Sequence, residues 1–259
     1  MTDFKARCSK LGILMTEPRN KADKDAGNLS ESAKSYVQEQ YLFDKYGIRK
    51  EVHDQKLIKG KMCEEEAISL VQQVRGNESL LIKNDKRLSN SFISGEYDLM
   101  DSVNSEVIDT KVAWDVETFH NNEGVLTKTG RLTHYGWQLI GYAWLAEVEK
   151  ATLAYTWVDT PEFMVSDLIR RAYFKYDHSD EVAIANIEDE IEFDIRSRHC
   201  PTQRAEPVPI KERVRLWQMK ININKYIPLI TQRVEKANEY YQLIDKSWKA
   251  TQFSQQLSV

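Results

Sequence analysis

Polar and apolar residues alternate along this chain in two rhythms. The first has a helical period. Asn28, with Glu31 three residues on, has the form of a capping box, and the stretch it opens stops at Gly47, which predicts a helix over 28–46. A second helix is expected over 61–73, where Glu64, Ala67, Ile68 and Val71 share one stripe. The period then falls to two, and short strands are expected over 80–83, 88–94, 97–101 and 106–112. The run Asp101-Ser102-Val103-Asn104-Ser105 has turn chemistry and folds the last two strands into an antiparallel hairpin. The helical period returns over 133–150, a further strand is expected over 151–158, and Thr160 with Pro161 opens a helix to 176. These elements predict an α/β fold with a mixed central sheet flanked by helices.

Beyond this core the pattern weakens. Glu188, Asp189, Glu190, Glu192 and Asp194 form an acidic run, followed by Pro201, Pro207 and Pro209, so 179–211 reads as an insertion or connector. A strand near 214–220 and a helix over 224–248 close the chain. The expected organisation is a core over 1–178, the acidic segment over 179–211, and a carboxy-terminal strand and helix over 212–259 packed on the core.

The stripe of the second helix places Glu64 among apolar residues, and a carboxylate aimed inward calls for a metal ion or a basic side chain. In the strand over 106–112, Val107, Asp109 and Lys111 project to one face and Ile108, Thr110 and Val112 to the other. Asp98 follows a glycine bend and is expected to face Asp109 across the hairpin. Taken singly, Glu64 reads as half of a salt bridge, Asp98 as a turn residue, and Gln138 and Tyr142 as packing on an aromatic helix. Asp109 is harder to dismiss, because Asp is depleted in strands and its apolar neighbours mark a central one. Three carboxylates and a lysine together suit phosphodiester hydrolysis: hard oxygens hold Mg²⁺, and a cation balances transition-state charge. Arg131, Tyr135, Gln138 and Tyr142 have the spacing of one helix stripe, suited to phosphate contacts.

Gly95-Glu96-Tyr97-Asp98 followed by Val107-Ile108-Asp109-Thr110-Lys111 resembles the signature of the PD-(D/E)XK nucleases, with Tyr97 in the place of the proline. Gln138 and Tyr142 resemble the Gln-x-x-x-Tyr motif of the RecB-like and lambda-exonuclease-like branch. Gly60 and Glu64, with Ala67, are similar to the Gly-x-x-x-Glu helix of YqaJ-type phage recombination nucleases, and Arg7-Cys8-Ser9 ahead of Gly12 resembles that branch's amino-terminal element. The resemblance spans 7–142 with its motifs in order. It implies a restriction-endonuclease-like core. It also implies Glu64, Asp98, Asp109 and the Thr110 carbonyl as ligands of Mg²⁺ or Mn²⁺, and Lys111 as the catalytic lysine. Arg7, Ser9, Gln138 and Tyr142 would organise the site or touch DNA. Exonuclease action on duplex ends in recombination, a ring trimer and a single-strand annealing partner follow by the same analogy.

Composition narrows this further. With 259 residues and 41% hydrophobic content the chain has ample material for a core, and its formal net charge of −4 requires any DNA contact to be a local basic groove. Three cysteines cannot hold a four-cysteine iron–sulfur cluster, which argues against the end-trimming nucleases that carry one. No apolar run suggests a signal or membrane segment, and a reducing cytoplasm is expected. The other alternative is a DNA-binding or assembly subunit that keeps the fold without activity.

Overall fold

The computed structural model describes residues 3–49, 54–76, 79–122, 124–175 and 181–254. The chain begins with β1 (Ala6–Arg7), a 3-10 turn over Cys8–Lys10, α1 (Leu11–Leu14), α2 (Lys21–Asp25) and α3 (Glu31–Tyr46). α4 (Gln55–Met62) and α5 (Glu64–Arg75) precede β2 (Leu81–Lys83), β3 (Leu88–Ser89), β4 (Ile93–Gly95), β5 (Leu99–Asp101) and β6 (Glu106–Val112). Then come α6 (Val116–His120), a hairpin of β7 (Thr127–Lys128) and β8 (Arg131–Leu132), α7 (His134–Ala146), β9 (Lys150–Thr156) and α8 (Glu162–Tyr173). α9 (Glu181–His199), β10 (Val214–Lys220) and α10 (Ile223–Ser254) complete the order.

The main sheet runs β10-β9-β6-β5-β2, with β6 at its centre. β6 and β9 are parallel and the other neighbouring pairs antiparallel, so the sheet is mixed, as expected. A parallel pair needs a crossover, and α7 lies on the connection that supplies it. The pleat of β6 then assigns each residue a side. Val107 joins Leu139, Ile140 and Leu153 in the core under α7, while Ile108 joins Ile68, Val71 and Ala154 in the core under α5. Asp109 and Lys111 therefore belong to the α7 side and Thr110 to the α5 side. A small second sheet pairs β1 in parallel with β4, Arg7 opposite Ser94, and lays the amino-terminal arm against the catalytic half. That approach is close: a Cβ on Gly95 would lie 2.6 Å from Cys8 Sγ and 2.8 Å from Tyr142 Cε1.

Several boundaries differ from the sequence reading, each for a local reason. Ser30, not Asn28, caps α3 by accepting from the Ala33 N–H at 3.1 Å, while Asn28 bonds Asp23. The helix expected over 61–73 is two helices that meet at Cys63. The strand over 88–94 is interrupted because Asn90 Oδ1 accepts from the N–H groups of Phe92 and Ile93, both at 2.9 Å, and bends the chain. α7 stops at Ala146 because Glu147 adopts a left-handed conformation at φ 55°, releasing Lys150 into β9. Pro161 occupies the cap position of α8 in place of Thr160.

Much of the acidic stretch is helical. In α9, Glu192 pairs with Arg196 and Asp194 with Arg198, each one turn apart, so two of the acids are halves of surface ion pairs. Trp157 Nε1 donates to the Arg198 carbonyl at 3.1 Å, and the Thr160 N–H to that of His199 at 2.9 Å, tying the end of α9 to the chain beyond β9. Among the described residues, no helix is long and apolar enough to cross a membrane.

Candidate active site

β9 pairs with β6 along its whole length, but β5 covers only Glu106 to Ile108, and the gap left on that side gathers several of the predicted residues. Leu99 pairs with Ile108, so the register sets Asp98 beside Asp109. The Asp98 carboxylate turns toward the main chain: its Oδ2 accepts from the Thr110 N–H at 2.5 Å and from the Thr110 hydroxyl at 2.6 Å. Asp109, 2% exposed, points the other way. Its Oδ1 accepts from Gln138 Nε2 at 3.2 Å, and the same amide donates to the Tyr142 hydroxyl at 2.9 Å. The i, i+4 spacing on α7 thus lets one amide orient a carboxylate on β6 while being held by a tyrosine a turn away. Tyr142 is braced edge-on against Tyr97, ring centres 6.3 Å apart.

Lys111 Nζ forms an ion pair with Asp109 Oδ2 at 2.5 Å and donates to the Thr110 carbonyl at 3.1 Å. Asp109 Oδ2 accepts no hydrogen bond of good geometry, so the ion pair leaves its lone pairs poorly satisfied. A primary ammonium therefore touches the two oxygens expected to ligate a metal. Among the described residues no three His, Cys, Asp or Glu side chains converge as a ready cation cage. The local donors are carboxylate and carbonyl oxygens, the chemistry a small hard divalent cation takes.

The electrostatics agree with a strained acidic centre. Burial pushes the Asp109 carboxyl up to about 6; Lys111 opposes the rise, and the charges of Asp98 and Glu64 add to it. Burial works to lower the Lys111 ammonium, but the Asp109 and Asp98 charges outweigh it and raise the group above its ordinary value. Glu64 is raised by partial desolvation and then by Asp98.

The position of Glu64 corrects the sequence reading. It is the first residue of α5 and exposed, with Glu65 and Glu66 in the same turn. It continues the stripe of Ala67, Ile68 and Val71, but at the exposed end of the helix, outside the core those residues enter. Three acids at a helix amino terminus are stabilised there by the helix dipole. Arg131 is a second correction. It lies in β8, before α7 begins at His134, with its side chain 79% exposed and 3.8 Å from Glu17, so it shares no helical stripe with Gln138. Ser9 is exposed on the 3-10 turn.

Arg7 lines a groove of about 650 Å³ with Lys5, Arg49, Arg87, Phe43 and Ser94 among its walls. Its Nε is buried without a hydrogen-bond partner. Cys8, next to Arg7 in the chain, is buried, which pushes its thiol up; the charge of Arg87 opposes that rise and the charge of Asp109 adds to it. Sequence reasoning found Arg7 but not the others, which come from scattered segments with no shared period. It also missed the Thr110 hydroxyl, because alternation placed that side chain on the face away from Asp109.

No family model matches the chain, and no curated protein does. Solved structures do. The chain superposes on a phage-related exonuclease from Haemophilus somnus 129PT with a TM-score of 0.71 and 30% identity, covering 95% of this chain and 97% of that one. The chain belongs to the phage-related exonucleases. It is a PD-(D/E)XK nuclease of the lambda-exonuclease-like branch. The alkaline exonuclease of Laribacter hongkongensis shares the fold at 9% identity, with a TM-score of 0.59 over 96% of this nuclease and 94% of that chain. The same enzyme in complex with dAMP superposes with a TM-score of 0.54 at 11% identity, over 95% of this nuclease and 94% of that chain.

Proposed function

We propose that this nuclease hydrolyses DNA phosphodiesters in the presence of Mg²⁺ or Mn²⁺, working inward from duplex ends. The observation that carries the reading is the gap beside β6, where the Lys111 ammonium bridges Asp109 Oδ2 and the Thr110 carbonyl while Asp98 is held by the N–H and hydroxyl of Thr110. Glu64, Asp98, Asp109 and the Thr110 carbonyl would hold the cation. A divalent cation held there would polarise the phosphate and make an attacking water more acidic. Lys111 would orient that water and balance the charge that builds up as the phosphorus becomes five-coordinate. Gln138 keeps Asp109 turned toward the gap. Arg7 and its groove hold the backbone of the substrate, with Ser9 exposed two residues along the chain, and dAMP in complex with a structural neighbour supports a deoxynucleotide ligand.

End-labelled linear duplex and relaxed closed circles, incubated with the full chain and Mg²⁺, test both halves of the reading. Linear DNA should be degraded progressively and circles should survive. Efficient nicking of circles would make the protein an endonuclease, and no cleavage of any DNA with either metal would leave a binding subunit.

A further inference from the structure

The residue between the two charged members of the strand signature has one assigned duty, to present its carbonyl. In this chain its side chain does more. The Thr110 hydroxyl donates to Asp98 Oδ2 at 2.6 Å, and the Thr110 N–H donates to the same oxygen at 2.5 Å. Two donors from one residue thus converge on one carboxylate oxygen, while Asp98 Oδ1 accepts no hydrogen bond from the described residues. We propose that the Thr110 hydroxyl is a positioning group for the cation site: it locks Asp98 so that Oδ1 faces the oxygens of Asp109 and Thr110.

Three features make the lock effective. Thr110 is 7% exposed on the central strand, so water competes poorly for the bond. Its branched Cβ restricts χ1, and the hydroxyl is aimed before any ligand arrives. Asp98 itself precedes β5 in an irregular stretch after Gly95, so without the hydroxyl its carboxylate would hang from a single main-chain N–H. A ligand free to rotate must be ordered when the cation binds, and groups that orient a ligand typically contribute about ten- to hundred-fold in metal affinity.

The inference rests on the reading of Asp98 as a ligand, and the experiment separates the two. Mn²⁺ is titrated calorimetrically into the full-length wild type, Thr110→Val, Thr110→Ser and Asp109→Asn, and each metal-free protein is melted. Valine keeps the shape of threonine and removes the hydroxyl; serine keeps the hydroxyl. Thr110→Val should bind Mn²⁺ about ten- to hundred-fold more weakly, with Thr110→Ser recovering to within a few-fold of wild type. Wild-type affinity in Thr110→Val would overturn the proposal. So would a loss in Thr110→Ser as large as in Thr110→Val, since keeping the hydroxyl would then not preserve the site. If wild type binds no Mn²⁺, or Asp109→Asn binds it as well as wild type does, the cation site itself is wrongly placed, and the proposal falls with that reading and not through Thr110.

Discussion

Asp109 and Lys111 show how little room a single residue has in this site. The Asp109 carboxyl has a folded-state value of about 6 against 3.8 for the free group. A raised folded value stabilises the protein below the unfolded value, and that contribution is lost as pH climbs through the folded one. Metal-free wild type should therefore lose stability between about pH 4 and pH 6 relative to Asp109→Asn, which carries no proton to lose there. Parallel thermal melts across that range check it, and parallel curves for the two proteins would refute it. Cation affinity should fall over the same interval as pH drops, because protons and metal compete for the ionised carboxylate. The role proposed for Lys111 is at the transition state, so Lys111→Met should lower the cleavage rate by about a hundredfold or more while DNA binding changes little. Single-turnover cleavage beside an equilibrium binding assay distinguishes the two effects, and a variant that cuts at the wild-type rate would remove the lysine from the mechanism.

At the level of elements, α7 is held against the amino-terminal arm by missing side chains. A Cβ on Gly141 would lie 2.7 Å from Leu11 Cδ1 and 2.8 Å from Cys8 Sγ, with Gly95 crowding the same thiol from β4. Gly141→Ala would force α7 away from the arm and carry Gln138 and Tyr142 with it. Overpacking of this kind costs about 1–3 kcal/mol. The variant should melt lower and cut more slowly, and Cys8→Ala should restore part of both losses, because it removes the sulfur that the new methyl meets. Absence of any rescue in the double variant would place the strain at Leu11 alone. The helix boundaries hold a related lesson. The Gln138–Tyr142 spacing was legible because it is a local period, whereas the break at Cys63 was not, since both flanks carry helical periods and only the approach of α5 to the sheet separates them.

Across the molecule the formal net charge is −4, while Lys5, Arg7, Arg49 and Arg87 line a single groove in which the acids Asp3 and Asp44 are outnumbered. Affinity for duplex should fall steeply with salt as these contacts displace counterions. Arg87→Ala should flatten the dependence of log affinity on log salt by about one unit, and Arg131→Ala, on an exposed hairpin beside Glu17, should flatten it less. Fluorescence anisotropy over a salt series measures both slopes, and a larger effect at Arg131 would move the DNA track to the β7–β8 hairpin.

What the sequence determined by itself was whatever depends on local period and on short motifs. The strands β6 and β10, the hairpin turn held by Asp101, the pairing of Asp109 with Lys111 on one face, and the family itself were all present in residue order. Tertiary structure alone decided which groups share a volume. It left Glu64 at the exposed end of its stripe and out of the core, took Arg131 off the helix of Gln138, and turned Asp98 onto the Thr110 hydroxyl across the face that alternation had set apart. It assembled a basic groove from residues spread between positions 5 and 94. Alternation and helical period specify the direction of a side chain relative to its own element, while the gap beside β6 exists only because β5 ends where β6 does not, and that depends on how the strands pair.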